Sequence, residues 1–344
     1  MTKRSWTSIW AKGMARGMAA LRRGSLPAKR RATPARLQPA ARRTIGSLKT
    51  APAKAPPGAG HWLPGVAIGP TGARRYRLYR PPGIRPGERL PLLVMLHGCG
   101  QDAQGFAAST RMNRIAARER FLVLYPEQDR LANAQGCWNW FDTRTGRAYR
   151  EAALIMAAID QVCLLYPVDR QRIAVAGLSA GASMAALLVT RHPERFKAVV
   201  MHSGIPPGTA HSSLSAMGAM HGHRSTAPLT VTATAMATTW PPLLVIHGRA
   251  DTVVAARNGR AAAQLWADAA GARTTAARGV QRGKRHAMTL TDFKAKGKTV
   301  ATLADVGRLG HAWSGGAARE PFSDALGPDA SRMVWAFAAK QFRA

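Results

Sequence analysis

The sequence predicts an α/β fold with a mostly parallel central sheet and helices on both faces. Short leucine-rich and β-branched runs alternate with helix-forming stretches from Leu92 onward. Those runs are apolar throughout rather than every second residue, as in strands covered on both sides. The chain has 344 residues and is 46% apolar, enough to bury such a sheet.

In order, residues 6–23 read as a basic amphipathic helix. Trp6, Ile9, Trp10, Met14, Met18 and Leu21 recur at three- and four-residue spacing, with Lys12, Arg16, Arg22 and Arg23 opposite. A disordered leader with chance periodicity is the competing reading. The cations interrupt any apolar run, so the segment does not read as an ordinary secretory signal. Residues 24–61 are rich in Pro, Ala, Lys and Arg and read as a disordered linker. The first domain is therefore drawn at 1–64, and the folded part, 65–344, begins near Val66. Arg74–Arg80 alternates and reads as an edge strand, stopped by Pro81 and Pro82. Strands follow at Leu92–Leu96, Phe121–Tyr125, Ile173–Ala176, Ala198–Met201, Leu243–His247 and Thr299–Leu303. Helices are expected at Gly105–Arg120, Glu151–Leu165, Ala182–Arg191, Ala261–Ala269 and Ser331–Phe342. Ile205–Pro241 breaks the alternation with 37 residues rich in Thr, Ala, Met and His. It is either a cap over a site or a surface insertion.

Composition narrows the partners without naming one. The formal charge is +33, and residues 1–64 hold 14 of the 50 Lys+Arg and no acid. Such charge attracts polyanions: nucleic acid, an anionic membrane or an acidic polymer. Tryptophans on the basic N-terminal helix suit a membrane or polymer-granule surface. No stretch approaches the roughly 18 apolar residues of a membrane span. Three cysteines, Cys99, Cys137 and Cys163, make no disulfide framework and no metal spacing. No metal or organic cofactor is expected.

The chemistry centres on Gly177-Leu178-Ser179-Ala180-Gly181, between an apolar strand and a helix-forming run. Strand, GxSxG and helix are the context of a nucleophile elbow. A serine needs a base, and the base an orienting acid, in the order Ser, Asp or Glu, His on such a sheet. Asp251 follows the strand Leu243–His247, where groups facing a ligand sit. Asp324 and Asp329 precede the last helix and read as caps. His311, in the glycine-rich loop after Thr299–Leu303, is the expected base; His286 is the rival, beside Lys284 and Arg285 at what reads as a solvated strand end. His221 and His223 are too close together and too isolated for a metal site. An oxyanion needs two N–H donors. Ala180 supplies one, and Cys99, or failing it Gly100, the other. The aromatic cluster Cys137-Trp138-Asn139-Trp140-Phe141 is either an apolar pocket wall or edge packing. A Cys99–Cys137 disulfide would tie it to the oxyanion loop in an oxidising compartment.

These residues resemble the esterases of the polyhydroxybutyrate depolymerase type, neighbours of the feruloyl and acetylxylan esterases. The matching pieces are His97-Gly98-Cys99 with Gln101, Cys137-Trp138-Asn139-Trp140, Gly177–Gly181, His202-Ser203-Gly204, His247-Gly248 with Asp251, and Gly310-His311-Ala312-Trp313. The resemblance implies an α/β-hydrolase fold and a serine esterase acting on short-chain hydroxyalkanoate or related esters. Ser179 would be nucleophile, Asp251 orienting acid and His311 base, with Cys99 and Ala180 as oxyanion donors. Gln101, Trp138, Asn139, Trp140 and Trp313 are expected to contact the ester substrate. The resemblance points to an extracellular setting, but the leader does not read as a signal peptide, so a cytoplasmic setting stays open.

Overall fold

The structure, a computed structural model, describes residues 58–226 and 240–343. The expected N-terminal helix, nearly all of the expected linker, and residues 227–239 of the expected insertion lie outside the described residues.

The strands are β1 (His61–Gly69), β2 (Gly72–Arg80), β3 (Leu90–Leu96), β4 (Leu122–Pro126), β5 (Val168–Leu178), β6 (Ala198–His202), β7 (Leu243–Gly248), β8 (Arg273–Thr274), β9 (Arg278–Val280), β10 (Met288–Ala295), β11 (Lys298–Val306), β12 (Trp313–Ser314) and β13 (Ser323–Asp324). The helices are α1 (Ala103–Thr110), α2 (Met112–Glu119), α3 (Arg147–Leu165), α4 (Ala180–Arg191), α5 (Ser213–Met220), α6 (Arg257–Ala269) and α7 (Ala330–Gln341). The main sheet runs β1-β2-β4-β3-β5-β6-β7-β11-β10-β8, with β9 also paired to β10. The six strands from β4 to β11 in this order are mutually parallel, and antiparallel strands flank them. The carboxyl ends of β3, β5, β6, β7 and β11 therefore share one edge. The loops leaving that edge carry Cys99, Ser179, Asp251 and His311.

Alternation within the strands sorts the core into two layers. Leu93, Met95, Val123, Tyr125, Ala176, Val200, Ile246 and Val306 pack with Phe106 of α1, Met112 of α2 and Val334 of α7. Their neighbours Leu92, Val94, Val175, Val199, Met201 and Val245 are equally buried. They point the other way, toward the side covered by α3, α4 and α6. Both faces being covered explains the continuous apolar runs.

Three expectations change. Arg74–Arg80 is not an edge strand, because β1 pairs along its whole length from His61↔Arg80 to Gly69↔Gly72. The folded part thus starts before Val66, and the boundary at 64/65 falls inside a strand. Pro64 is tolerated because β1 is the edge. Gly65 lies opposite Tyr76, whose ring comes within 2.2 Å of where a Cβ would stand. The single helix expected over Gly105–Arg120 is two, broken at Arg111, where φ is 54°. Part of the expected insertion is ordered: α5 starts on a capping box of Ser212 and Ser215. Its end is held by Ala255 N–H on the Met220 carbonyl, 2.8 Å, and Asn258 Nδ2 on the Ala219 carbonyl, 2.9 Å.

Candidate active site

Ser179 stands between β5 and α4 with φ 56° and ψ −120°, a backbone conformation side chains rarely adopt. The two glycines make it attainable. A Cβ on Gly177 would lie 2.3 Å from the Gly181 carbonyl carbon, and one on Gly181 would lie 2.2 Å from the Leu96 carbonyl oxygen. The Ser179 N–H is held by the His202 carbonyl at 2.9 Å. Its side chain is left partly exposed between buried Leu178 and Ala180.

The structure brings His311 and Asp251 to this serine. His311 Nε2 is 2.9 Å from Ser179 Oγ, and His311 Nδ1 is 2.8 Å from Asp251 Oδ2. The other Asp251 oxygen accepts the Val253 and Val254 N–H groups at 2.9 and 2.8 Å. Burial alone would raise the Asp251 carboxyl. The bond and charge of His311, the charge of nearby His247 and the Val254 N–H outweigh it and hold the group below its ordinary value. An ionised Asp251 only accepts, so His311 Nδ1 carries the proton and Nε2 faces the Ser179 hydroxyl with its lone pair.

Two further histidines, buried in β6 and β7, frame this pair. His202 Nε2 accepts the Ser314 N–H at 3.1 Å, tying the loop after His311 to β6. Its ring stacks on Trp313, with centroids 5.0 Å apart. Burial, then the neighbouring His247 and His311, lower its pKa to about 3, so the ring is neutral. His247 Nε2 donates to the Val254 carbonyl at 2.9 Å, bracing the turn that carries Asp251. The rival His286 is occupied elsewhere: it lies half-buried, 3.1 Å from Asp324 Oδ2, rather than at a solvated strand end. Asp329 caps α7 through Arg332 N–H. His221 and His223 stack on each other, and no group of metal-ligating side chains occurs among the described residues.

The loop after β3 is arranged around open N–H groups. Gly98 N–H bonds Gln101 Oε1 at 3.0 Å, Gly100 N–H bonds the Gln135 carbonyl at 2.9 Å, and Gln101 N–H returns to the Gly98 carbonyl. Among the described residues, the Cys99 N–H and the Ala180 N–H have no acceptor. The Gly100 N–H, the fallback donor, is already taken. Cys99 and Cys137 are joined by a disulfide, with Cα atoms 4.3 Å apart, and Cys163 is free and buried.

The residues expected to contact substrate are mostly committed to the protein. Gln101 is buried and fixes Gly98. Trp138 is wholly buried under Arg74 and bonds the His97 carbonyl through Nε1 at 3.0 Å. Asn139 is buried, with its N–H and Nδ2 on Glu151 and its Oδ1 on Asn133. Trp313 is wholly buried and bonds Ser331 Oγ at 3.0 Å. Trp140 is nearly buried, edge-on to Phe141. The aromatic cluster is therefore packing beneath the loop after β3 rather than an open wall. Its partner Glu151, 12 residues on and buried in α3, carried no local signal.

The family model described as "Esterase PHB depolymerase" matches residues 74–284. The chain is 34% identical to poly(3-hydroxyalkanoate) depolymerase C of Paucimonas lemoignei over 131 residues, 38% of this chain and 31% of that protein. It is 30% identical to feruloyl esterase B of Neurospora crassa over 138 residues, 40% of this chain and 45% of that protein. The chain thus spans less than half the length of these relatives. Among solved structures, acetyl xylan esterase from Aspergillus awamori superposes with a TM-score of 0.60 at 20% identity, covering 73% of this chain and 94% of that one. The S-formylglutathione hydrolase of Staphylococcus aureus gives 0.51 at 15% identity, over 83% and 99%. The fold is that of the α/β-hydrolases. With the family model spanning well over half of the chain, the protein belongs to the esterase PHB depolymerase family.

Proposed function

We propose that the protein is a serine esterase that hydrolyses carboxylic esters through an acyl-enzyme. One observation carries the reading: a continuous relay from Asp251 through His311 to Ser179, with contacts of 2.8 and 2.9 Å. Ser179 Oγ attacks the ester carbonyl carbon as His311 Nε2 takes its proton. The oxygen that becomes negative is received by the N–H groups of Cys99 and Ala180, the second at the amino end of α4. Collapse of the tetrahedral species breaks the carbon–alcohol bond, and His311 returns its proton to the leaving oxygen. Water then repeats the attack on the acyl-serine and releases the acid. Short-chain hydroxyalkanoate esters and oligomers are the substrate class favoured, from the depolymerase among the relatives. Feruloyl and acetylxylan esters are the second, from the other named relatives.

The test is Ser179→Ala assayed on p-nitrophenyl butyrate, with fluorophosphonate labelling of the parent. The variant is expected to lose on the order of 10⁴-fold or more in kcat at unchanged Tm. Activity within tenfold of the parent overturns the assignment.

A further inference from the structure

The buried carboxylate of Glu151 stands apart from the relay yet is connected to it. Its oxygens are met only by donors: Asn139 Nδ2 at 2.6 Å and Gln128 Nε2 at 2.8 Å on Oε1, and Asn139 N–H at 2.9 Å on Oε2. Gln128 in turn grips the loop after β3, while Asn139 anchors the segment that carries Cys137 and Trp138. Gln128 N–H bonds His97 Nε2 at 3.1 Å, and Gln128 Nε2 also reaches the Cys137 carbonyl at 3.0 Å. Cys137 is bonded to Cys99, Trp138 Nε1 to the His97 carbonyl, and the Gln135 carbonyl to Gly100 N–H. On the far side, Arg74 Nη1 donates to Gln128 Oε1 at 2.6 Å. Among the described residues no ion pair is made to the Glu151 carboxyl group, and the Arg74 guanidinium meets it only through Gln128.

We propose that Glu151 is a positioning residue for the reaction at Ser179. It holds the segment 128–139, and through the Cys137–Cys99 bond it fixes the Cys99 N–H where the oxyanion forms. The inference rests on the esterase reading above. Three converging donors require a group that only accepts. A glutamine of the same size would turn an NH₂ against one of them, and the segment would shift. A shift of that kind weakens a bond made mainly in the transition state, so kcat falls while substrate binding is spared.

The experiment compares Glu151→Gln with the parent on p-nitrophenyl butyrate, alongside inhibition by butylboronic acid, whose serine adduct is a tetrahedral anion. Expected is a fall in kcat of roughly 10- to 100-fold, within the loss seen on removing an oxyanion donor. KM is expected to stay within about threefold, and boronate affinity to fall in step with kcat/KM. The acid limb of the pH profile should not move, because the His311–Asp251 contact is untouched. After cleavage of the Cys99–Cys137 bond with a phosphine reductant, the same substitution should cost less than about threefold, because the strut is already cut. A lowered Tm with kcat within threefold, or losses that multiply in the reduced protein, overturns the proposal. If the variant does not fold, the reduced parent alone decides. Its kcat must fall with KM held, and an unchanged kcat overturns the proposal. Ser179→Ala separates the two claims. If it is inactive while Glu151→Gln is unaffected, only the positioning role fails. If it is active, both fail.

Discussion

At the scale of single residues, the elbow is set by what cannot be added. A methyl group on Gly181 would stand 2.2 Å from the Leu96 carbonyl oxygen and 2.5 Å from that of His97. Both are backbone atoms at the end of β3, so neither can rotate away. To admit the methyl, the loop after β3 and the turn at Ser179 would have to separate. Gly181→Ala is therefore expected to lower unfolding free energy in urea by about 3 kcal/mol or more, at the upper end for overpacking. Gly98 is a control in the same loop. Its added Cβ would meet the Gln101 side-chain oxygen at 3.2 Å, a group that can give. Gly98→Ala should cost a small fraction of that, and equal losses at both positions would contradict the argument.

At the scale of elements, the break between α1 and α2 trades backbone strain for tertiary contacts. Arg111 adopts a left-handed conformation that costs an ordinary residue roughly 1–2 kcal/mol. In return its Nη2 donates to the Gly315 and Gly316 carbonyls at 2.6 and 3.3 Å, in the loop that follows His311. Bonds from a charged donor contribute roughly 1.5–3 kcal/mol each. Arg111→Gly relieves the strain but loses both bonds, so a net loss of about 1 kcal/mol or more is expected in urea melts. A stabilised variant would show the contacts to be idle. Nothing in Arg-Met-Asn-Arg announced this break, because its cause lies two hundred residues away. The parallel strands were legible, since burial on both faces writes an unbroken apolar run. Pro64 and Gly65 hid β1, as both residues argue against a strand unless it is an edge with a tyrosine opposite. The hairpin of β10 and β11 turns at Lys296 and Gly297, both at positive φ but without the Asn-Gly or Asp-Gly signature of such turns. Ser179, Asp251 and His311 were singled out as candidates because strand ends mark where such groups sit. Glu151 was not, because a buried acid in a helix has no pattern until its donors are placed around it.

At the scale of the molecule, the site is built on neutral histidines inside a strongly basic chain. His97 and His202 are buried, and desolvation lowers their pKa values from 6.5 to about 4 and about 3. His247 is lowered by burial in the same direction, against the pull of Asp251. In the unfolded chain these rings take up protons as pH falls through 6.5; in the folded protein they do so only near 4 and 3. Between those values the unfolded state binds more protons, so stability rises with pH. It is complete above the ordinary imidazole range and drains as pH drops below it. Each ring contributes about 1.4 kcal/mol per pH unit, so His97 and His202 together remove on the order of 4 kcal/mol between pH 6.5 and 5. Asp251, held below its ordinary value, adds a loss of the same sign at still lower pH. Tm is therefore expected to fall steeply from pH 6.5 to 5 while kcat/KM measured at 20 °C still reports a folded enzyme. Proton NMR over the same range separates this cause from general charge repulsion. The ring signals of His97 and His202 should stay at their neutral positions down to pH 5. If they titrate near 6.5, or if Tm is flat over that interval, the buried imidazoles are not what makes the fold acid-sensitive.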